Sequence, residues 1–96
     1  MDIVISENKE RKRFEAVVDG ETARIEYIRA EDKMYLTHTE VPKALEGKGV
    51  ASAMAKLVLH QIKDEGLFLV PLCPFIAAYL KRHPEWKEIL AKGYHV

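Results

Sequence analysis

A loop with two glycines runs directly into a predicted helix in the stretch EGKGVASAM, residues 46–54. Gly47 and Gly49 would let the backbone approach a ligand closely, because glycine has no side chain. The first helical turn, Val50 to Ser52, contains no acid, and no conventional capping residue precedes it. Unused N–H groups and the helix dipole favour an anion at such a helix start. The loop therefore predicts either a phosphate cradle or an ordinary strand-to-helix connection.

Two further side chains could take part in proton transfer or nucleophilic chemistry. Cys73 is the single cysteine, and it follows an apolar run where a free cysteine is often only a small buried hydrophobe. His38 stands in an alternating segment, and histidine is the side chain typically used to accept a proton near neutral pH. It could therefore accept a proton from an ammonium substrate, or it could be a half-exposed strand residue. We find no cysteine and histidine spacing typical of a metal site, and we predict no metal.

The composition limits the classes of protein to which the chain can belong. Its 96 residues predict a single domain, 1–96, with one core. Fifteen basic and fifteen acidic residues give zero formal net charge, which argues against nucleic-acid and membrane partners. No apolar run reaches the ~20 residues of a membrane span, and the N-terminus has the wrong order for a secretory signal. Together with the single cysteine, these features predict a cytoplasmic protein.

The first half of the chain alternates apolar and polar residues with the period of β-strands. Strands are predicted over residues 2–5, 13–18, 22–29 and 34–41, with a charged connection between the first two. Asp19-Gly20 has the residue types of a tight hairpin turn. Pro42 ends the fourth strand, because proline has no N–H to donate to a ladder. These segments predict an antiparallel meander of four strands.

The second half of the chain changes to helical spacing. Apolar residues recur from Val50 to Ile62, and Gly66 is the residue type expected just past a helix C-terminus. The continuous apolar run over residues 67–72 predicts a strand buried on both faces. Pro71 within this run favours the edge of a sheet or a bulge.

A second helix is predicted for PFIAAYLKR, with Pro74 in its first turn. His83-Pro84 ends this helix, because the residue before a proline avoids the helical conformation. One more short helical piece is predicted over residues 84–92. The predicted order of elements is β-β-β-β-α-β-α, which is a mixed α/β fold with a crossover after the meander.

This order and two sequence blocks resemble the GCN5-related N-acetyltransferases (GNATs). The pyrophosphate loop of that family reads Gln/Arg-x-x-Gly-x-Gly/Ala. Gly49 and Ala51 match its last two fixed positions, whereas Glu46 stands where the family prefers Gln or Arg. The blocks THTEVPKALEGKGVASAM and PLCPFIAAYLKRHPEW resemble the small, single-domain YjdJ-type branch. The resemblance covers nearly the whole chain and implies a GNAT-like mixed sheet.

The resemblance implies acetyl-CoA as the acyl donor and suggests where it would lie. The strand around Glu40 and Val41 would diverge from the strand ending at Leu72, and the pantetheine arm would occupy the gap. The loop amides would hold the pyrophosphate, and the basic side chains near the loop and on the second helix would contact phosphate. The residues predicted to bind the cofactor are Glu40, Val41, Glu46, Gly47, Lys48, Gly49, Val50, Ala51, Lys81 and Arg82.

The resemblance also implies transfer of the acetyl group to an amine. Cys73 would donate a proton to the departing thiolate or, by a route less common in the family, accept the acetyl group covalently. His38 would take a proton from the acceptor, and it is predicted to lie close to Cys73 on the strands that flank the thioester. Tyr79 stands on the helix where many members carry a tyrosine that protonates the thiolate. Its alternative role is that of a core aromatic.

Three classes of function fit the sequence. The first is an acetyl-CoA-dependent N-acetyltransferase for a small-molecule, peptide or protein amine, acting as a monomer or weak homodimer. Only Ser6 to Lys12 joins the first two strands, where larger family members insert helices, so we expect an open acceptor site. The second is a CoA or acyl-CoA-binding module with little or no catalysis. The third is a structural or nucleic-acid-interacting domain that uses Lys9 to Arg13, and the net charge disfavours it.

Overall fold

The computed structural model describes residues 2–96, which form a five-stranded sheet with strands in sequence order. The first four strands pair antiparallel, and the fifth runs parallel to the fourth. The strands are β1 (Ser6–Asn8), β2 (Arg13–Val18), β3 (Glu21–Ala30), β4 (Lys33–Glu40) and β5 (Phe68–Pro71). This arrangement confirms the predicted mixed α/β fold with a four-stranded meander.

Two helices connect the later strands. Helix α1 (Val50–Asp64) links β4 to β5, and helix α2 (Pro74–Arg82) follows β5 with a proline at its start, as predicted. Short 3-10 helices span Lys43–Leu45 and Pro84–Ile89. Leu90, which belongs to no named strand, then forms a parallel bridge with Leu69 of β5. Each parallel connection therefore carries a helix, as a crossover requires.

The core lies on one side of the meander. Alternate residues of β2, β3 and β4 are buried there, and both helices pack against the same cluster. Helix α1 contributes its apolar stripe, which includes Met54, Val58 and Ile62. Leu69 and Val70, adjacent in β5, are both fully buried, as the continuous apolar run predicted. The opposite face of the meander carries mainly charged side chains and two exposed apolar ones, Val17 and Ile28.

Two predicted elements differ from the structure. The first strand is not residues 2–5; it is Ser6–Asn8, inside the stretch predicted as a charged connection. Ile3 and Ile5 pack against the core without joining the ladder, and Val4 between them is 85% exposed. The last helical piece is a 3-10 helix that ends at Ile89, because residues 90 and 91 pair with β5 instead.

A β-bulge interrupts the pairing of β3 with β4. Tyr27 pairs with Leu36, whereas the preceding Glu26 pairs with His38, so Thr37 is an extra residue in β4. The Thr37 hydroxyl donates a hydrogen bond to the carbonyl of Glu26 at 3.2 Å. The bulge reverses the alternation of β4, and every residue after it faces the side opposite to the one that strict alternation predicts.

Candidate functional site

A gap opens where β4 and β5 stop pairing. Their parallel register ends at Leu36 and Pro71, and the amide of Cys73 donates to the Leu36 carbonyl at 2.8 Å. Strand β4 continues to Glu40, so its last residues have no pairing partner on this edge within residues 2–96. The family resemblance implied such a divergence around Glu40 and Val41, and in the structure the pairing already ends at Leu36.

The chain beyond Pro71 turns away from the ladder. Pro71 has no N–H to donate, and the amide of Leu72 bonds back to the carbonyl of Val70 at 3.1 Å. The side chain of Leu72 is 56% exposed. Cys73 then precedes α2, where its carbonyl accepts from Ala77. The proline and this tight turn therefore end β5 and separate it from β4.

A cavity of about 250 Å³ lies beside the start of α1. The end of β4, the glycine loop and the first helical turn form its lining. The lining residues are Val41, Leu45, Glu46, Gly47, Gly49, Val50, Ala51 and Ser52. Six of the ten residues predicted to bind the cofactor are therefore gathered around one cavity.

Backbone amides at this cavity are free to bind a ligand. Gly47 and Gly49 have φ angles of 80° and 77°, in the left-handed region that glycine adopts without strain. The first amide to bond into the helix is that of Ala53, which donates to the Gly49 carbonyl at 3.1 Å. In the described chain, the amides of Gly47 and of residues 49–52 have no backbone partner, and no side chain caps the helix. Several free donors at a helix start suit a pyrophosphate group.

The charged residues predicted to contact phosphate are placed differently from one another. The ammonium of Lys48 forms an ion pair with Asp19 at 3.1 Å, which ties the loop to the β2–β3 turn. Lys81 and Arg82 are exposed at the C-terminal end of α2, and neither lines the cavity. Glu46 does line it, so one carboxylate stands beside the free amides.

Cys73 is buried, with 3% of its surface exposed. Its sulfur lies 3.3 Å from the hydroxyl of Thr39, the residue that the bulge turns toward the core side. Thr39 pairs with the buried Ile25, which fixes this orientation. Cys73 thus lies at the point where β4 and β5 separate, with a hydroxyl as its hydrogen-bond partner.

His38 faces the other side of the sheet. It pairs with Glu26, its side chain is 51% exposed, and its Nε2 lies 3.1 Å from Oε1 of Glu40. Since adjacent strand residues point to opposite faces, His38 and Thr39 diverge, and Cys73 lies with Thr39. The structure therefore does not bring His38 and Cys73 together, and the predicted paired role lacks its geometry.

Tyr79 is buried in α2, and its ring stacks on that of His83 at a centroid distance of 4.2 Å. Burial raises the pKa of Tyr79 above its usual value, and the carboxylate of Glu85 adds to the effect. The phenol is consequently protonated throughout the neutral range. These contacts are those of a core aromatic, which is one of its two predicted roles.

Three residues of the site were missed by sequence reasoning. Thr37 forms the bulge, Thr39 contacts Cys73, and Asp19 holds Lys48. Nothing in the alternating stretch MYLTHTEV marks a bulge. The pairing of threonine with cysteine spans 34 residues, and only the crossover through α1 brings the two residues together.

Residues 13–89 match the family described as GCN5-related N-acetyl-transferase. The chain belongs to this family. Protein NATD1 of Mus musculus is 31% identical over 86 residues, covering 85% of this chain and 77% of its own length. Protein NATD1 of Xenopus tropicalis is 30% identical, with 85% and 78% covered. Protein NATD1 of Homo sapiens is 41% identical over 49 residues, with 51% and 43% covered.

A solved GNAT structure has the same fold. It is the solution structure of a protein from Staphylococcus aureus assigned as a GCN5-like N-acetyltransferase, and the superposition has a TM-score of 0.71. The sequences are 21% identical, and 96% of this chain and 91% of that chain are covered. The GNAT fold is therefore shown, and the assignment to the YjdJ-type branch stays a prediction.

Neither a membrane-spanning helix nor a metal-binding group is found within residues 2–96. No helix within residues 2–96 is long and apolar enough to cross a membrane. No three acidic, histidine or cysteine side chains in that range are grouped so that they could hold a metal ion.

Proposed function

We propose that this GNAT is an acetyl-CoA-dependent N-acetyltransferase. The observation that carries the proposal is the cavity at the start of α1, which is lined by free amides and by Val41, directly after the part of β4 that no longer pairs with β5. A phosphate-binding helix start beside an unpaired strand edge suits a ligand with a pyrophosphate and a long amide-containing arm, and CoA has both. Acetyl-CoA would supply a reactive thioester in the gap.

In this proposal, backbone N–H and C=O groups make most of the contacts with the ligand. Amides of Gly47 and of residues 49–52 would receive the pyrophosphate, and the free edge of β4 up to Val41 would pair with the pantetheine amides. Because these contacts use N–H and C=O groups, Glu46 can replace the usual Gln or Arg if its carboxylate turns toward solvent. Lys48 would contact phosphate once it leaves Asp19.

In this proposal, the proton acceptor and the proton donor act on opposite faces of the sheet. On the open face, His38 would take a proton from the acceptor ammonium, and the freed amine lone pair would form the N–C bond. As the C–S bond breaks, the sulfur keeps the bonding electrons. On the core face, Cys73 would donate a proton to that sulfur, and the second proton that the acceptor nitrogen loses would pass through water to restore the Cys73 thiol. His38 and Cys73 would then act from opposite sides of the thioester, and this arrangement requires no contact between them.

The acceptor is proposed to be a protein or peptide amine. Four residues, Lys9 to Lys12, join β1 to β2, so no helix stands over the meander at this point. The sheet face that carries His38 is exposed. An open face can receive a large substrate, whereas a small free amine would have few walls to hold it. We also propose a cytoplasmic monomer or weak homodimer, on the basis of one unpaired thiol and the neutral surface.

One observation favours a second function, a CoA-binding module with little catalysis. Cys73 contacts a neutral hydroxyl and no base among the described residues, so its thiol has no partner that would activate it. Binding without turnover would use the same loop and gap, and it would not require His38.

Acetyl transfer to a panel of peptides and small amines, followed by mass spectrometry, distinguishes these functions. We expect acetylated peptide with wild type, and a rate at least tenfold lower with His38→Ala. His60→Ala is the control, because this histidine lies on the exposed side of α1 against Trp86. Calorimetry with acetyl-CoA completes the test. Saturable heat without acetylated product would favour the binding module, and the absence of heat would reject both the transferase and the binding module.

A further inference from the structure

The imidazole of His38 is bonded to a carboxylate on its own strand. Nε2 of His38 and Oε1 of Glu40 are 3.1 Å apart, and both side chains are about half exposed. An ionised carboxylate can only accept a hydrogen bond, so Nε2 must carry the proton of the neutral ring. The lone pair then lies on Nδ1, which makes no hydrogen bond in the described chain. The contact therefore selects which nitrogen can act as a base.

The carboxylate of Glu40 also lies near a guanidinium. The Arg24 guanidinium lies 4.0 Å from it and forms a closer ion pair with Glu26 at 2.7 Å. The strand register sets Arg24 opposite Glu40 and Glu26 opposite His38. The four side chains thus form a cluster on one sheet face, defined here as the β3–β4 charge cluster, beside the free edge of β4.

We propose that Glu40 is the positioning residue for His38. This inference rests on the proposed function. Glu40 keeps the ring in the Nε2–H form with Nδ1 open to the acceptor, and it stabilises the imidazolium that forms. The expected contact of Glu40 with the cofactor uses its backbone, so its side chain is free for this second task.

His38 receives the first of the two protons that the acceptor nitrogen loses, and the second passes through water to the Cys73 thiolate. A proton passes from the acceptor ammonium to Nδ1, and the imidazolium then carries one proton on each nitrogen. The Nε2–H remains bonded to Glu40 throughout, so Glu40 stays ionised. Release of the Nδ1 proton to water after transfer restores the starting tautomer.

The tautomer of His38 can be measured without any ligand. Imidazole ¹⁵N shifts distinguish the two neutral forms in alkaline solution, where histidine is uncharged. We expect the Nε2–H form alone in wild type and in Glu26→Gln, and a mixture in Glu40→Gln. Glu26→Gln is the matched control, because it removes an equal charge beside the same ring but no hydrogen bond to it. A mixture in wild type, or the same spectrum in all three proteins, would overturn the inference.

Steady-state kinetics of the same proteins test whether the contact between His38 and Glu40 contributes to catalysis. We expect Glu40→Gln to lower kcat by roughly fivefold, a modest effect because the pair is exposed, with the KM for acetyl-CoA unchanged. Glu26→Gln should stay within twofold of wild type. Equal kcat in the two variants would exclude a positioning role even if the tautomer is fixed. A wild-type protein without activity would instead overturn the proposed function, while the spectra would still report on the contact.

Discussion

The hydroxyl of Thr39 and the sulfur of Cys73 lie 3.3 Å apart at the point where β4 and β5 separate. The bulge at Thr37 makes this contact possible, because without it Thr39 would face the charged side of the sheet. The same bulge turns His38 to the opposite face. The one extra residue therefore places Thr39 on the core face beside Cys73 and His38 on the opposite face of the sheet.

Cys73→Ser tests the proton donor. Serine retains a hydroxyl partner for Thr39, so we expect the free energy of unfolding to change by less than about 1 kcal/mol. A hydroxyl is a far weaker acid than a thiol, so kcat should fall at least tenfold in steady-state assays. Thr39→Ser, which retains the contact, is the control. An unchanged kcat for Cys73→Ser would remove Cys73 from the chemistry.

Tyr79→Phe tests the alternative donor. Phenylalanine keeps the stacking on His83 and the core packing, so we expect kcat and thermal stability close to those of wild type. Tyr94→Phe, at the exposed C-terminal segment, is the control. A tenfold loss of kcat in Tyr79→Phe alone would transfer the donor role from Cys73 to Tyr79.

Gly49→Ala tests the conformation of the loop. A side chain at φ 77° costs about 1–2 kcal/mol, although no atom within 4 Å would clash with it. We expect lower stability in urea unfolding and weaker acetyl-CoA binding in calorimetry. Gly93→Ala, at φ 88° and with similar open space, controls for backbone strain alone. Equal losses of acetyl-CoA affinity in both variants would show that the loop has no special part in binding.

Asp19→Asn tests the ion pair that holds Lys48. The substitution frees the Lys48 ammonium and removes a negative charge near the loop, so acetyl-CoA should bind roughly two- to fivefold more tightly at low salt. Glu21→Gln removes the same charge from the same hairpin, where no ion pair with Lys48 is formed. The expectation fails if both variants bind alike, or if Asp19→Asn has its full effect in a Lys48→Met background.

Stability should decrease in acid. The hydrogen bond from Arg24 holds the pKa of Glu26 below its usual range, and Arg13 does the same for Glu15. Unfolded carboxyls bind protons at higher pH, so this stabilisation is present above about pH 4.3 and is lost as the pH falls through the lower folded values. The pairs are partly exposed, so each contributes less than about 1 kcal/mol. Urea unfolding at several pH values should show a shallower acid dependence for Arg24→Gln than for wild type, and an equal dependence would contradict the assignment.

Particular residues show why prediction succeeded in some places and failed in others. Helix α2 was predicted with its correct bounds, because Pro74 and Pro84 impose local constraints at both ends. The glycines marked the loop as a candidate phosphate cradle, whereas the gap was expected from the family resemblance and not from the prolines alone. The bulge at Thr37 depends on pairing with β3, which no local pattern of β4 records. The predicted contact between His38 and Cys73 failed for this reason.

A titration of ¹⁵N-labelled protein with acetyl-CoA, followed by backbone amide shifts, tests whether the glycine loop and the unpaired end of β4 bind the cofactor. We expect saturable shifts for the amides of Gly47 and residues 49–52, for the free edge of β4 from Thr37 to Glu40, and for Val41 directly after it. The amides of the β1–β2 turn, Lys9 to Lys12, should not move. Saturable shifts confined to other surfaces, or no shifts at all, would contradict it.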